Sequence, residues 1–312
     1  VYLTGYVFGW GHPEPQEWLP CVTRVDYAGS GKMELFAGSL KEEDARSDKQ
    51  AFKVPTSVAC DKEGRVYIAD FMNDRIQVYA PDGKVLASVK VKSPAEIFVS
   101  PKTGEMYVAS WMLSNRFVAG HDSRIAPALQ RLGPIDKPEV KATYPLPLNG
   151  HNPTVNMNRT GGLEFRMAMD FWADPPTLWL IPGLSYEIGD YGVTRAKRDL
   201  NGTGLTLLVE KDGKLVPRRD FHDDVVKNPL VVRAKPANGG GGAGPRQRLY
   251  ADPKTGRLYV GEADCGDSKA FNQRGEINPE TGQVKLLDLP MATEDLAIDL
   301  NGLFYLRSDI EV

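Results

Sequence analysis

The feature that most constrains the fold is a short pattern that occurs four times along the chain. Each copy is a polar turn closed by glycine, followed by an apolar segment with a tyrosine at a fixed place. The copies occupy residues 61–70, 100–110, 252–262 and 299–309. Asp, Ser and Pro favour the start of such a turn, and glycine supplies the positive φ that lets the next strand return antiparallel. The pattern therefore predicts one hairpin-based unit used repeatedly.

The spacing of the copies indicates which unit is repeated. The first two copies, and likewise the last two, are roughly 40 residues apart, which is the period of a four-stranded blade. We therefore predict an all-β fold, a β-propeller of four-stranded antiparallel blades. About five blades are visible and six are expected in the complete ring. Residues 1–40 form most of one blade, and the last, which starts at Asp295, is cut short.

The 312 residues are predicted to form a single propeller domain, 1–312. We interpret the chain as a fragment of a longer protein, because it begins and ends close to core strands. The clearest blade spans 52–91, and a degenerate blade is predicted from segments 165–181 and 204–216. Pro- and Gly-rich insertions near 119–162 and 217–245 are predicted to be loops. Such insertions in propellers emerge on one face, often the face that binds ligands.

One segment carries a specific family resemblance. Residues 52–79 contain a proline before the first strand, a D-x-x-G turn, the sequence Y-I-A-D and the sequence N-D-R-I-Q-V. This segment resembles an NHL repeat, whereas the other blades keep only the turn and the tyrosine. The wider resemblance is to the six-bladed superfamily that contains NHL proteins, gluconolactonase-like calcium hydrolases, paraoxonases and the peptide-amidating lyase. The resemblance implies either a binding scaffold or a metal-dependent enzyme.

Aligning the blades on the first residue of each turn predicts a candidate ligand site. The first strand of each propeller blade lines the central channel, so equivalent positions from successive blades converge near one mouth. The positions four residues before the turn, with one neighbouring carboxylate, are Ser57, Glu96, Arg166, Arg248, Glu294 and Asp295. Arginine binds carboxylate or phosphate, and carboxylates bind ammonium or hydroxyl groups. One interpretation is a pocket for an anionic or zwitterionic ligand, and the other is mutual neutralisation of these charges in a hydrated channel.

The same positions do not predict a metal site. Calcium binds six or more oxygen ligands, and the gluconolactonase-like family supplies Glu, Asn, Asn and Asp from inner strands. This sequence offers Glu96 and Asp295 but no Asn at the matching places, and two arginines would repel a cation. The four histidines, His12, His121, His151 and His222, lack the short spacing of a zinc site. We expect no cofactor, with calcium or zinc as the alternative, since the lyase relatives collect zinc ligands from separate blades.

Composition restricts the partners. The sequence has 38 basic and 41 acidic residues, a formal charge of −3. Proteins that bind nucleic acids usually carry a positive surplus, so nucleic acid is not an expected partner. No apolar run reaches the ~18 to 20 residues that a membrane-spanning helix needs. The expected partners are a protein, a peptide or a small anionic or zwitterionic ligand.

Two functions remain open from the sequence. The first is an NHL-like propeller that acts as a ligand- or protein-binding scaffold, with no catalytic residue assigned. The alternative is a metal-dependent hydrolase or lyase of the gluconolactonase- and paraoxonase-like superfamily, acting on an ester or lactone through a cation that polarises the oxygen. Whether the chain is an enzyme is left open. A secreted or periplasmic location is expected only by analogy with bacterial relatives.

Overall fold

The computed structural model describes the chain in segments. These are residues 1–6, 18–26, 29–41, 52–111, 125–146, 166–181, 187–189, 192–194, 206–220, 246–252, 255, 257–263, 273–278, 281, 283–288, 295–299 and 301–307. Within these segments every regular element is a β-strand, except for a 3-10 turn at Phe71–Asn73. The described part of the chain includes no helix with the length and hydropathy to cross a bilayer.

The strands follow one another along the whole sequence. In chain order they are β1 (Tyr2–Tyr6), β2 (Trp18–Val25), β3 (Met33–Gly38), β4 (Pro55–Cys60), β5 (Val66–Asp70), β6 (Arg75–Tyr79), β7 (Val85–Lys90), β8 (Pro94–Val99), β9 (Met106–Ser110), β10 (Ala128–Leu132), β11 (Val140–Pro145), β12 (Arg166–Asp170), β13 (Thr177–Ile181), β14 (Glu187–Gly189), β15 (Gly192–Thr194), β16 (Thr206–Lys211), β17 (Lys214–Asp220), β18 (Arg246–Ala251), β19 (Leu258–Ala263), β20 (Gln273–Ile277), β21 (Val284–Asp288), β22 (Asp295–Ile298) and β23 (Phe304–Arg307).

The strands form sheets that we number as blades in chain order. Blade 1 is β1-β2-β3, blade 2 is β4-β5-β6-β7, blade 3 is β8-β9-β10-β11, and blade 4 is β12-β13-β16-β17. Blade 5 is β18-β19-β20-β21, blade 6 is β22-β23, and β14-β15 is a separate hairpin. Neighbouring strands pair antiparallel. The predicted fold class, all-β with four-stranded antiparallel propeller blades, is confirmed. The number of blades in the complete ring stays a prediction.

The chain divides into two compact units. Unit 1 comprises Val1–Gly202 with Leu207–Arg218, and unit 2 comprises Thr203–Thr206 with Arg219–Val312. Unit 1 therefore holds blades 1 to 4, apart from Thr206 at the start of β16 and Arg219–Asp220 at the end of β17, and unit 2 holds these residues with blades 5 and 6. The single domain expected over 1–312 stays a prediction.

The recurring turn has a common physical basis. The Asp61 carboxylate accepts hydrogen bonds from the backbone N–H groups two and four residues later, at 3.0 and 2.9 Å. Asp299 makes the same two contacts in blade 6, at 2.8 and 2.9 Å. Gly64 and Gly302 have φ values of 75° and 81°, a left-handed conformation that glycine adopts without a Cβ penalty. The aspartate that accepts these hydrogen bonds and the glycine with positive φ thus form the hairpin turns that the sequence pattern predicts.

In unit 1 the core lies between adjacent blades. All five residues of β5 are buried, because successive side chains point to opposite faces and each face has a neighbour. Tyr67 and Ala69 pack in a cluster with blade 3, whereas Val66 and Ile68 pack in a cluster with blade 1. A third cluster joins blades 3 and 4 through residues such as Tyr107. Middle strands such as β5 and β9 are consequently buried on both faces, and their sequences are mostly apolar without alternation.

The lengths of the connections differ between the two ends of blades 2 to 5. The turns from first to second strand and from third to fourth strand leave one end, which we call the short-turn end; each has seven residues or fewer. All other connections leave the opposite end, which we call the long-loop end. Every connection longer than seven residues that enters, leaves or lies within these blades belongs to it, namely 39–54, 111–127, 146–165, 182–205, 221–245 and 264–272.

The structure differs from the sequence prediction in the insertions. The segment 119–162 was predicted as a loop, but it contains β10 and β11, which complete blade 3. The prediction missed β10 because its Ala-Leu-Gln-Arg-Leu sequence lacks β-branched residues. Pro145 is tolerated because β11 is an edge strand. Strand β17 extends into the second insertion as far as Asp220, and the rest of 217–245 lies outside the described residues.

Candidate functional site

Two of the predicted site residues occupy matching positions in neighbouring sheets. Ser57 is the third residue of β4 and pairs with Ala69, and Glu96 is the third residue of β8 and pairs with Ala109. In both strands the register shifts just before this residue. The predicted equivalence of Ser57 and Glu96 agrees with these pairings, and the equivalence of the other aligned residues stays a prediction. Ser57 and Glu96 both lie in the half of the first strand that is nearer the long-loop end.

The Ser57 side chain lies between blades 2 and 3. Its Oγ accepts a hydrogen bond from the backbone N–H of Ile97 at 3.3 Å. The preceding residue, Thr56, donates through Oγ1 to the carbonyl oxygen of Pro94 at 3.1 Å. These two contacts join β4 to β8 and position Glu96 beside Ser57 along the edge of the first strands.

Glu96 has an unusual environment for a carboxyl group. Its side chain is partly buried, and the small Ala109 lies opposite it across the strand pair. Desolvation raises the pKa of Glu96 to about 8, because burial disfavours the charged form. The carboxyl group is therefore largely protonated at neutral pH. In that state it can donate a hydrogen bond to a carbonyl or carboxylate oxygen.

For the other predicted residues the structure gives strand positions only. Arg166 is the first residue of β12 in unit 1, opposite Ile181. In unit 2, Arg248 is the third residue of β18 and Asp295 is the first residue of β22. Glu294 lies outside the described residues. The structure thus brings Ser57 and Glu96 together, and the convergence of all six side chains stays a prediction.

Two serines that sequence reasoning missed lie at the same end of blade 3. The Oγ atoms of Ser93 and Ser110 are buried, and among the described residues neither has a hydrogen-bond partner. Ser93 is in the connection from β7 to β8, and Ser110 is the last residue of β9 and pairs with Pro94. Buried hydroxyls without partners are costly, so a ligand or water that pairs with them would be stabilised. The alignment on turn residues could not identify them, since neither occupies the aligned position.

The part of the chain that the structure describes contains no recognisable metal cage. Among the described residues there is no group of three or more His, Cys, Asp or Glu side chains that could hold a metal ion. All four histidines lie outside the described residues. Glu96, uncharged at neutral pH and without neighbouring carboxylates among the described residues, does not match the oxygen-rich ligand set that calcium prefers.

Comparison with known proteins gives distant likenesses only. No protein-family model matches the sequence, and no curated protein matches it. Among solved structures, a streptogramin B lyase is 12% identical, with a TM-score of 0.43, covering 92% of this chain and 83% of that one. A protein from Lactobacillus plantarum is 14% identical (TM-score 0.46, coverage 98% and 94%), and a gluconolactonase from Xanthomonas campestris is 13% identical (TM-score 0.44, coverage 92% and 75%). The fold assignment rests on the chain's own sheets.

Proposed function

We propose that this chain is a ligand-binding propeller whose site lies at the long-loop end of unit 1, around Glu96. The observation that carries the proposal is the position of Glu96, a desolvated carboxyl at the end of blade 3 from which the longer connections leave. Loops on a rigid β scaffold are where binding residues concentrate. The proposed ligand is a small anion or zwitterion, or a protein or peptide that presents such a group.

The chemistry of the site favours a ligand rich in hydrogen-bond acceptors. Protonated Glu96 donates one hydrogen bond, and the hydroxyls of Ser93 and Ser110 are further donors. Arg166 is expected to add a charged donor, because guanidinium groups bind carboxylates in a bidentate manner. A carboxylate-bearing ligand would use all of these groups, whereas an ammonium group would need Glu96 ionised.

The test uses succinate as the anionic probe and glycine as the zwitterionic probe. We expect succinate to raise the melting temperature of the wild-type protein in a concentration-dependent way, and the Glu96→Ala variant to lose at least tenfold in affinity. Lys62→Ala, an exposed change at the short-turn end, is the matched control and should leave succinate binding unchanged. Equal stabilisation of wild type and Glu96→Ala by succinate would refute the proposed site.

A second function is favoured by a specific observation. Two of the four histidines, His121 and His151, fall in the connections 111–127 and 146–165, which leave the long-loop end of blades 3 and 4 in unit 1. Such histidines could supply zinc ligands from separate blades. The alternative is therefore a metal-dependent hydrolase or lyase acting on an ester or lactone. Stoichiometric calcium or zinc in the purified protein, together with hydrolysis of p-nitrophenyl acetate or δ-valerolactone that EDTA abolishes, would establish it against the binding proposal.

A further inference from the structure

The turn between β12 and β13 differs from its counterparts in the other blades. In blades 2, 3, 5 and 6 this turn has a polar tip and closes on glycine. In blade 4 it reads Phe-Trp-Ala-Asp-Pro-Pro over residues 171–176. Phe171 is buried, and its ring lies 5.5 Å from that of Tyr107 in blade 3. Trp172, the next residue, is 79% exposed.

The backbone that carries Trp172 is fixed by three hydrogen bonds. The Asp170 carboxylate accepts from the N–H of Trp172 at 2.9 Å and from that of Ala173 at 3.3 Å. The ammonium group of Lys102, in the corresponding turn of blade 3, donates to the carbonyl oxygen of Trp172 at 3.1 Å. With Phe171 anchored in the core beside it, the turn fixes the backbone of Trp172 at an exposed position.

A tryptophan presented in this way has the properties of a protein-binding anchor. Small ligands bind in concave pockets, whereas Trp172 projects from the tip of a turn. Interface hot spots are enriched in tryptophan, which inserts into an apolar pocket of the partner. We propose that Trp172 anchors a docking surface at the short-turn end of blade 4, where it inserts into an apolar pocket of a protein partner.

The charges around Trp172 favour a protein partner over a lipid surface. Membrane-surface binding generally needs a basic surplus together with several apolar tips. Near Trp172 the exposed residues Lys102 and Asp174 have opposite signs, and the next short turn of blade 3 carries the exposed residues Asp136, Lys137 and Glu139. These turns carry charges of both signs and no basic surplus, together with one large aromatic group, which fits an aromatic anchor bordered by polar residues better than a membrane-binding surface.

The docking surface is independent of the proposed ligand site. Trp172 lies at the short-turn end, and Glu96 lies towards the long-loop end. Loss of one site should therefore leave the other intact, so the two proposals fail separately. Trp172→Ala is expected to change the melting temperature by less than about 2 °C, because exposed substitutions have small effects on stability.

The test places the photo-crosslinking amino acid p-benzoylphenylalanine at position 172 in the full chain. The matched control places it at position 62, an exposed position in the corresponding turn of blade 2. After irradiation in an extract of the source cells, we expect a discrete protein adduct for position 172 and none for position 62. The captured protein, purified separately, should bind wild type at least tenfold more tightly than Trp172→Ala, with Trp172→Phe in between.

Three results would overturn the proposal. The first is that positions 172 and 62 give the same crosslinked adducts, or that position 172 gives none. The second is that wild type and Trp172→Ala bind the captured protein with equal affinity. The third is Trp172-dependent binding to vesicles of phosphatidylcholine and phosphatidylserine in the absence of a protein partner, which would assign the indole to a membrane surface instead.

Discussion

At the scale of single residues, the turn aspartate shows how the neighbouring blade changes the strength of a contact. Tyr67 donates a hydrogen bond to Asp61 Oδ2 at 2.8 Å, and Arg65 Nε donates to the same oxygen at 2.5 Å. Burial alone would raise the pKa of Asp61, but these donors hold it below its usual value. In blade 6 the equivalent pair, Tyr305 and Asp299, is 3.4 Å apart and Tyr305 is 54% exposed.

This difference predicts unequal effects of the same substitution. Tyr67→Phe removes a donor from a buried carboxylate, so the free energy of unfolding should fall by about 1 to 3 kcal/mol. Tyr305→Phe removes a long, exposed contact and is expected to change stability by less than about 0.5 kcal/mol. Urea unfolding of both variants, followed by tryptophan fluorescence, measures the two changes. Equal losses would show that the hydroxyl-to-carboxylate contact does not account for the stability of the blade 2 turn.

Glu96 makes stability depend on pH in a defined direction. Desolvation raises its pKa to about 8 in the folded protein, against about 4.3 in an unfolded chain. Between these values the unfolded state releases a proton that the folded state retains, so this group destabilises the fold progressively as pH rises from about 4 to 8. Below pH 4 the carboxyl is protonated in both states and the penalty is absent.

The Glu96→Gln variant tests this linkage. Glutamine resembles the protonated carboxyl in shape but cannot ionise. At pH 5 we expect a difference of about 1 kcal/mol from wild type, whereas at pH 8 the variant should be more stable by about 3 to 5 kcal/mol. The control is Glu139→Gln on an exposed turn, which reports the effect of removing a surface carboxylate. A stability difference between Glu96→Gln and wild type that is the same at both pH values would contradict the raised pKa.

At the scale of strands and blades, polar side chains connect neighbouring blades outside their apolar contacts. The guanidinium Nη1 of Arg131, on β10 of blade 3, donates a hydrogen bond to Oε2 of Glu210, on β16 of blade 4, at 2.8 Å. The two side chains are 28% and 29% exposed, so solvent screens them less than a surface pair. The contact joins strands that are far apart in sequence, and it lies beside the cluster that contains Tyr107, Phe171 and Leu208.

A double-mutant cycle isolates the contribution of this pair. We expect Arg131→Met and Glu210→Gln to show a coupling free energy of about 1 kcal/mol. Either substitution alone removes the partly buried ion pair, so the second substitution costs less than it does in the wild type. The matched cycle uses Lys137 and Glu139, which belong to the same turn. Lys137 Nζ lies 3.5 Å from Glu139 Oε2, and both side chains are more than two-thirds exposed. That pair should show no measurable coupling. Coupling energies that do not differ between the two cycles would rule out Arg131–Glu210 as a link between blades.

At the scale of the whole molecule, the sequence predicts local structure better than it predicts which segments complete a sheet. The Asp61 and Asp299 turns follow from Asp-to-Gly spacing, and blade 4 was predicted from residues 165–181 and 204–216. The β10 strand was missed because it has no β-branched residue, and the β14-β15 hairpin was missed because its strands have only three residues each, with a glycine in both. Strand β10 forms because it pairs with β9 and β11, and local propensity does not encode that pairing.

The candidate site shows the same limit. Register alone predicted that Ser57 and Glu96 are equivalent, and their cross-strand partners Ala69 and Ala109 agree. Register could not predict that the Ser57 Oγ accepts a bond from Ile97, or that Glu96 is desolvated. Both facts depend on side chains and backbone that adjacent strands bring close. The sequence could not predict the buried hydroxyls of Ser93 and Ser110 for the same reason, because burial of a hydroxyl depends on how the blades pack.

Removal of metal tests the whole molecule and separates the two proposed functions. In the described residues, unit 1 is held by apolar clusters and hydrogen-bonded pairs such as Arg131 with Glu210, none of which needs a cation. Dialysis against EDTA should therefore change the melting temperature by less than about 2 °C. A metal held at 100 times its Kd contributes about 2.7 kcal/mol, and its loss would lower the melting temperature by roughly 5 °C or more. Such a fall, reversed by calcium or zinc, would mean that residues beyond those described hold a structural cation, and would favour the hydrolase or lyase alternative.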